Sequence, residues 1–247
     1  RGTSELTANK DNQTTGLDKD YLLAWSMGKS ETFTLMIPGF KGRSSSIKVE
    51  ENKSALKNVD PQMKPSISGM GQYWGDQPFT DSPYAGAIVV FLFVLGLFIV
   101  EGRMKWTLLT ITIFSILLSW GKNFMPLTDF FLHYVPGYNK FRAPSMMLTL
   151  AEFCIPILAV LAVDKIFKTP DLLTKKIKLA FVKKEISVQN AFITAFALTG
   201  GLSLLFYLMP TTFNSFFGED EYDKIYNQIA DSNGADIAQK FMDNIEI

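Results

Sequence analysis

Cysteine and histidine are almost missing from this chain of 247 residues: Cys154 and His133 are the sole examples of each. A single thiol cannot form an intramolecular disulfide, so cysteine usage says nothing about redox compartment. One histidine cannot supply a histidine-rich metal site, and no Walker loop, dinucleotide fingerprint or paired-cysteine motif is present; no metal ligands and no cofactor are assigned. A charge surplus is also lacking, since 24 basic residues balance 24 acidic ones. A nucleic-acid binder would carry a basic excess, so that class is set aside. The N-x-S/T matches at Asn12 and Asn52 are short enough to arise by chance. The chain opens on Arg1 without a signal peptide yet holds several membrane-like segments, and it is read as a piece of a longer membrane protein.

What is abundant is apolar and unevenly placed. The 21 phenylalanines and the 47% hydrophobic content concentrate after residue 83. The expected fold class is all-α, a polytopic transmembrane helix bundle with about four spans at 84–100, 106–120, 143–163 and 190–209. Residues 1–83 form a polar loop region, 84–209 the bundle, and 210–247 amphipathic helices. Span 106–120 is short for a bilayer core, and its Thr107, Thr110, Thr112, Ser115 and Ser119 suit a helix packed inside the bundle. Gly200 and Gly201 predict close packing or a bend in the last span.

Between the last two spans, residues 164–189 carry seven lysines against three acids, which makes this loop cytoplasmic by the positive-inside rule. The turn with Arg103 and Lys105 then shares its side, while 1–83, 121–142 and 210–247 lie outside. Leu172, Leu173, Ile177, Leu179 and Phe181 fit an amphipathic helix on anionic lipid.

Smaller features complete the pass. Asp18 caps a short helix that Gly28 closes. Residues 30–37 have both strand-like and helix-like apolar spacing, and the choice stays open. A helix is expected at 50–58 within a mobile loop. Tyr73, Trp74 and Phe79 suit a headgroup-level aromatic belt or a ligand platform. The tail reads as two helices broken at Ser232, Asn233 and Gly234, with Tyr222, Ile225, Tyr226 and Ile229 in one stripe and Ile237, Phe241 and Ile245 in the other.

The chemistry-bearing residues cluster where the loop 121–142 enters the third span. Arg142 and Lys140 lie at a depth that suits a phosphate, Arg as a bidentate fork and Lys as a point charge; snorkelling at a helix end is the competing explanation. Asp129 and His133 are four apart on a short helix, so the carboxylate can orient the imidazole or the pair can be a surface hydrogen bond. Tyr138, Tyr134 and Asp76 complete this polar surface. Glu152 lies inside the apolar run, four residues before Pro156, which cannot donate to the Glu152 carbonyl. Either adjacent helices satisfy that level of the helix or it lines a binding cavity. No catalytic residue is assigned.

The stretches GLDKDYLLAWSMG (16–28), ETFTLMIPGFKG (31–42), QYWGDQPFTDSPYAGAIVVFLFVLGLF (72–98) and SILLSWGKNFMPLTDFFLHYVPGYNKFRAPSM (115–146) resemble the YfhO-type bacterial membrane proteins in their Bacteroidota form. The string from Trp120 to Pro144 is the most specific part. The resemblance implies a GT-C-like glycosyltransferase of the bacterial inner membrane and cell envelope. Such enzymes move a sugar from a polyprenyl-phosphate donor to an extracytoplasmic acceptor. Its catalytic carboxylate would lie on an earlier loop and maps to no position here. The alternative is a non-catalytic membrane scaffold or lipid transporter. The partners implied are membrane lipid and the polyprenyl-phosphate sugar.

Overall fold

Apolar runs rich in Leu, Ile, Phe and Ala fold as helices, which dominate the computed structural model. It describes residues 17–52, 54, 56–78, 80, 83–178, 185–213 and 221–245. In chain order the elements are α1 (Lys19–Leu23), α2 (Lys64–Ser68), α3 (Ala87–Ile99), α4 (Met104–Ser119), α5 (Met125–Tyr134) and α6 (Leu148–Lys168). A hairpin of β1 (Lys176–Lys178) and β2 (Glu185–Ser187) follows. Then come α7 (Val188–Phe196), α8 (Leu202–Leu208), α9 (Pro210–Phe213), α10 (Glu221–Asn233) and α11 (Ala235–Ile245). The chain forms two compact units, Arg1–Pro38 with Pro83–Met209, and Gly39–Ser82 with Pro210–Ile247.

Among the described residues of the first unit, two helical stretches are long and apolar enough to cross a membrane: Pro144–Lys168 with 25 residues and Val188–Leu208 with 21. A third crossing requires the pair Met104–Ser119 and Gly121–Tyr134, bent by 110°, to count as one span. The run expected to span at 84–100 is a helix of 13 residues, about 20 Å long against a core of about 30 Å. Its ends are fixed by neighbours. Ala85 and Gly86 donate to the Leu35 carbonyl at 3.0 and 3.1 Å, and Val100 turns extended. Beyond it, the Lys105 ammonium donates to the Leu97 carbonyl at 2.8 Å, satisfying an orphan group of the last turn.

α6 is the axis of this unit. Leu158, Ala151 and Ala162 on it are fully buried, and small residues there let neighbours approach. Gly96 of α3 approaches it closely: a Cβ at this position would stand 3.0 Å from Leu158 Cγ and 3.1 Å from its carbonyl oxygen. On α4 the inner face is Thr112, Ser115 and Ser119, all buried, whereas Thr107 and Thr110 are exposed. Ser115 donates to the Met147 carbonyl and accepts from the Ala151 amide, tying α4 to the first turn of α6, where amides lack intrahelical partners. α6 continues unbroken through Pro156.

Two local expectations need correction, and two open alternatives are narrowed. The amphipathic helix expected after residue 164 is instead a 3₁₀ turn, Leu172–Thr174, followed by the hairpin. Lys176, Ile177 and Lys178 alternate with the period of a strand, and Ile177 pairs with Ile186; Leu179 and Phe181 lie outside the described residues. The glycine pair forms no tight interhelical contact: Ala197–Gly201 is a π-helical turn between α7 and α8, and a Cβ on Gly201 would meet nothing within 4 Å. Residues 30–37 are neither strand nor α-helix but a 3₁₀ helix, Ser30–Leu35. The helix expected at 50–58 is a single 3₁₀ turn, Val49–Glu51.

In the second unit, residues 42–49 run antiparallel to 70–80 through bridges Gly42 to Tyr73 and Lys48 to Gly71. Phe79 lies outside the described residues. α10 and α11 break at Gly234 as expected, with φ at +91°. Tyr222 and Tyr226 stack at 6.4 Å along the α10 stripe. On α11 the buried residues are Ala238 and Met242, while Ile237 is half exposed. Lys240 pairs with Asp60 at 2.9 Å.

Gly96→Val is expected to lower stability by about 1–3 kcal/mol, because Leu158 and its backbone cannot both yield. Thermal unfolding in detergent micelles measures it, and an unchanged midpoint contradicts the close approach.

Candidate functional site

Asp18 starts α1 by accepting the Asp20 and Tyr21 amides at 3.0 and 3.2 Å. The helix stops at Leu23, five residues before Gly28, because the backbone beyond finds partners elsewhere. Ser26 turns back to donate to the Leu23 carbonyl at 2.7 Å and accepts the Lys122 amide at 2.9 Å. Ala143 donates to Leu22 and Ser145 to Trp25, at 3.2 and 3.0 Å; Met27 donates to Ser119 at 2.9 Å. Asn123 donates its side-chain amide to the Met27 carbonyl at 2.9 Å. Thr128 of α5 donates to the Gly121 carbonyl at 2.7 Å. Ser26, Ser119 and Thr128 are wholly buried, so these three hydroxyls are closed to water.

α1 carries the outer face of the knot. Lys19 pairs with Asp129 at 2.8 Å. The Tyr21 hydroxyl accepts from Arg142 Nη1 at 2.7 Å. The guanidinium carbon stands 5.8 Å from the Tyr21 ring centre and 5.4 Å from that of Trp25, within cation–π range. Arg142 nevertheless stays exposed. The backbone contributes as well: Ala143 has φ at +64°, a left-handed conformation that costs an alanine roughly 1–2 kcal/mol. Its hydrogen bond to Leu22 and the following Pro144, which is buried, hold it there.

Asp129 and His133 are indeed neighbours, but not through the carboxylate. His133 Nδ1 lies 2.7 Å from the Asp129 backbone carbonyl. A carbonyl only accepts, so the ring donates from Nδ1, and in the neutral ring Nε2 is the basic nitrogen. The Asp129 carboxylate is engaged by Lys19 instead.

Tyr138 belongs to packing. It lies against Leu22, Leu23 and Leu132, edge-on to Phe131 at 5.3 Å. Its buried hydroxyl has no hydrogen-bond partner among the described residues. Burial pushes its phenol above the ordinary value of 10.0. Lys140 ends the 3₁₀ turn Tyr138–Lys140 and is exposed.

Glu152 is half-buried on α6 and has no hydrogen bond or ion pair among the described residues. None of the contacts above joins it to Arg142. Asp76 belongs to the second unit.

The structure therefore brings Asp129 and Arg142 to the polar side chains of α1 and Tyr138 to its apolar side chains, places His133 beside Asp129 alone, and joins Glu152 to none of them. The sequence reading missed Lys19, Tyr21 and Trp25, which hold the site together. The only local signal was the capped, aromatic-rich string from Asp18 to Trp25. It also missed Glu31, a buried carboxylate that accepts the Gly28 amide; its three-residue spacing from Gly28 is that of a reciprocal helix cap. Among the described residues, no group of three or more His, Cys, Asp or Glu side chains is gathered closely enough to hold a metal. Comparison with known protein families, curated proteins and solved structures returns no match to this chain.

Two substitutions separate knot from packing. Ser26→Ala removes a buried hydroxyl that donates to the Leu23 carbonyl and accepts the part-buried Lys122 amide, and is expected to cost about 1–3 kcal/mol. Tyr138→Phe removes an unpartnered hydroxyl and is expected to leave stability unchanged or raise it by about 1 kcal/mol. Unfolding midpoints in detergent test both, and a large loss for Tyr138→Phe would restore a polar role to that hydroxyl.

Proposed function

We propose that this chain forms part of the outward-facing donor site of a GT-C-like membrane glycosyltransferase. Arg142 would grip the phosphate of a polyprenyl-phosphate-linked sugar. The observation that carries the reading is the exposed Arg142 guanidinium, held by Tyr21 and Trp25 beside the start of the long apolar stretch Pro144–Lys168. Arginine suits the task because it stays charged and presents parallel donors to a phosphate. Prior placement by two rings lowers the entropy lost when the phosphate arrives. Lys140 adds a second positive charge to the same stretch.

On this reading four helices cross the membrane, at 84–100, 106–120, 143–163 and 190–209, and the lysine-rich loop 164–189 is cytoplasmic. The ion pair of Lys165 with Glu101, at 2.8 Å, supports one side for that loop and the turn 101–105. The knot adjoins the other end of α6. α6 has 21 residues, about 31 Å from its rise per residue, which supports opposite sides for the two. Phe33 meets Phe206 at 4.9 Å, supporting an outer position for the end of α8. Sugar transfer also needs a base for the acceptor hydroxyl and stabilisation of the departing phosphate. Arg142 and Lys140 serve the second need. The first is assigned to no residue here.

A scaffold or lipid transporter is the second reading. One observation favours it: Asp129, the carboxylate in this cluster, is tied to Lys19 rather than left for acid–base work.

Arg142→Lys is expected to weaken binding of a polyprenyl-phosphate analogue to the full-length protein about tenfold, or ~1.4 kcal/mol, with the amount of folded protein unchanged. Unchanged binding would remove the phosphate role. Weakened binding with no transfer by the unsubstituted protein, from any polyprenyl-phosphate sugar tested, would leave the scaffold or transporter.

A further inference from the structure

We infer that α5 is an in-plane anchor, with Phe130, Tyr134 and Phe141 seated in the lipid surface at the boundary of headgroups and acyl chains. α5 leaves α4 through a 110° bend, so if α4 crosses the bilayer, α5 lies near its plane. Its inner face is fixed by Thr128 and Leu132, both buried. The opposite face is open and largely aromatic: Phe130 is 53% exposed and Tyr134, one turn on, 74%, with the exposed His133 at its edge. Phe141 nearby in the chain is 76% exposed.

The occupant follows from continuity. Phe114, on the exposed side of α4, contacts Phe131 at 5.5 Å; Phe131 contacts Phe130 at 5.8 Å; Phe130 contacts Tyr134 at 5.2 Å. An aromatic chain therefore continues from the exposed side of α4 onto α5, with Lys122 the exposed charge at the bend. Lys140 and Arg142, both exposed, flank it with the charge that lipid phosphates complement. Aromatic rings with a polar neighbour favour this depth.

The inference rests on α4 being a membrane helix, which can be checked separately. Nitroxide labels at Phe130→Cys, Tyr134→Cys and Phe141→Cys would be placed in the full-length protein in nanodiscs of mixed neutral and anionic lipid. An otherwise cysteine-free background and a Phe114→Cys control complete the set. Oxygen is expected to relax all three labels more than a water-soluble nickel chelate does, with depths of about 5–10 Å below the phosphates. Chelate dominance at 130 and 134 would put the face in water and overturn the inference. Shielding from both relaxants would show a protein cover and overturn it equally. Chelate dominance at 114 would instead defeat the membrane assignment of α4 itself.

Discussion

The knot that joins the segment after α1 to the ends of α4, α5 and α6 centres on one buried hydroxyl. Ser26 donates to Leu23 and accepts from Lys122, and it does so against Gly121, whose φ is +43°. A Cβ on Gly121 would come within 2.1 Å of that hydroxyl oxygen and 2.9 Å of Pro144. The glycine is thus required twice, for its backbone conformation and for the space it leaves. Around this contact the ends of α4, α5 and α6 converge, with Met27 and Leu148 packed in one apolar cluster and Leu22, Leu23 and Leu132 in another. Backbone groups that would otherwise be buried unpaired are satisfied by one another.

That constraint also shapes the surface. Because residues 22 to 27 are pinned to 119, 122, 143 and 145, Lys19, Tyr21 and Trp25 project from a fixed base. Arg142 then meets rings that do not have to be gathered. The left-handed Ala143 lies between the pinned Leu22 and the buried Pro144, so strain is held beside the residue proposed to bind the ligand, a pattern common where side chains must be aimed.

The sequence disclosed the parts of this fold that are set locally. The length and apolarity of 148–168 and 188–208, the cap at Asp18, the inner face of α4 at Thr112, Ser115 and Ser119, and the break at Gly234 all follow from nearby residues. Hidden were the features whose partners are remote. Leu23 ends α1 because of groups about a hundred positions away, and no periodicity within 18–28 could say so. Hydrophobic alternation over three residues at Lys176–Lys178 was too short to outweigh a helical reading of the same stretch. At the site, Arg142, Asp129 and His133 were legible as polar groups at a span entrance. Their true companions were not, since Asp129 faces Lys19 and His133 faces a carbonyl.

The distance between Ser26 and Lys122, 96 residues along the chain, carries a consequence for biogenesis. The earlier strand of the knot leaves the ribosome well before its counterpart, and closing a loop of that length costs about 4 kcal/mol of chain entropy. Segment 17–28 must therefore wait, solvated and unpaired, until α3, α4 and the turn at Gly121 have been made. Closure of the knot is a late, cooperative event that follows formation of these helices and does not guide it.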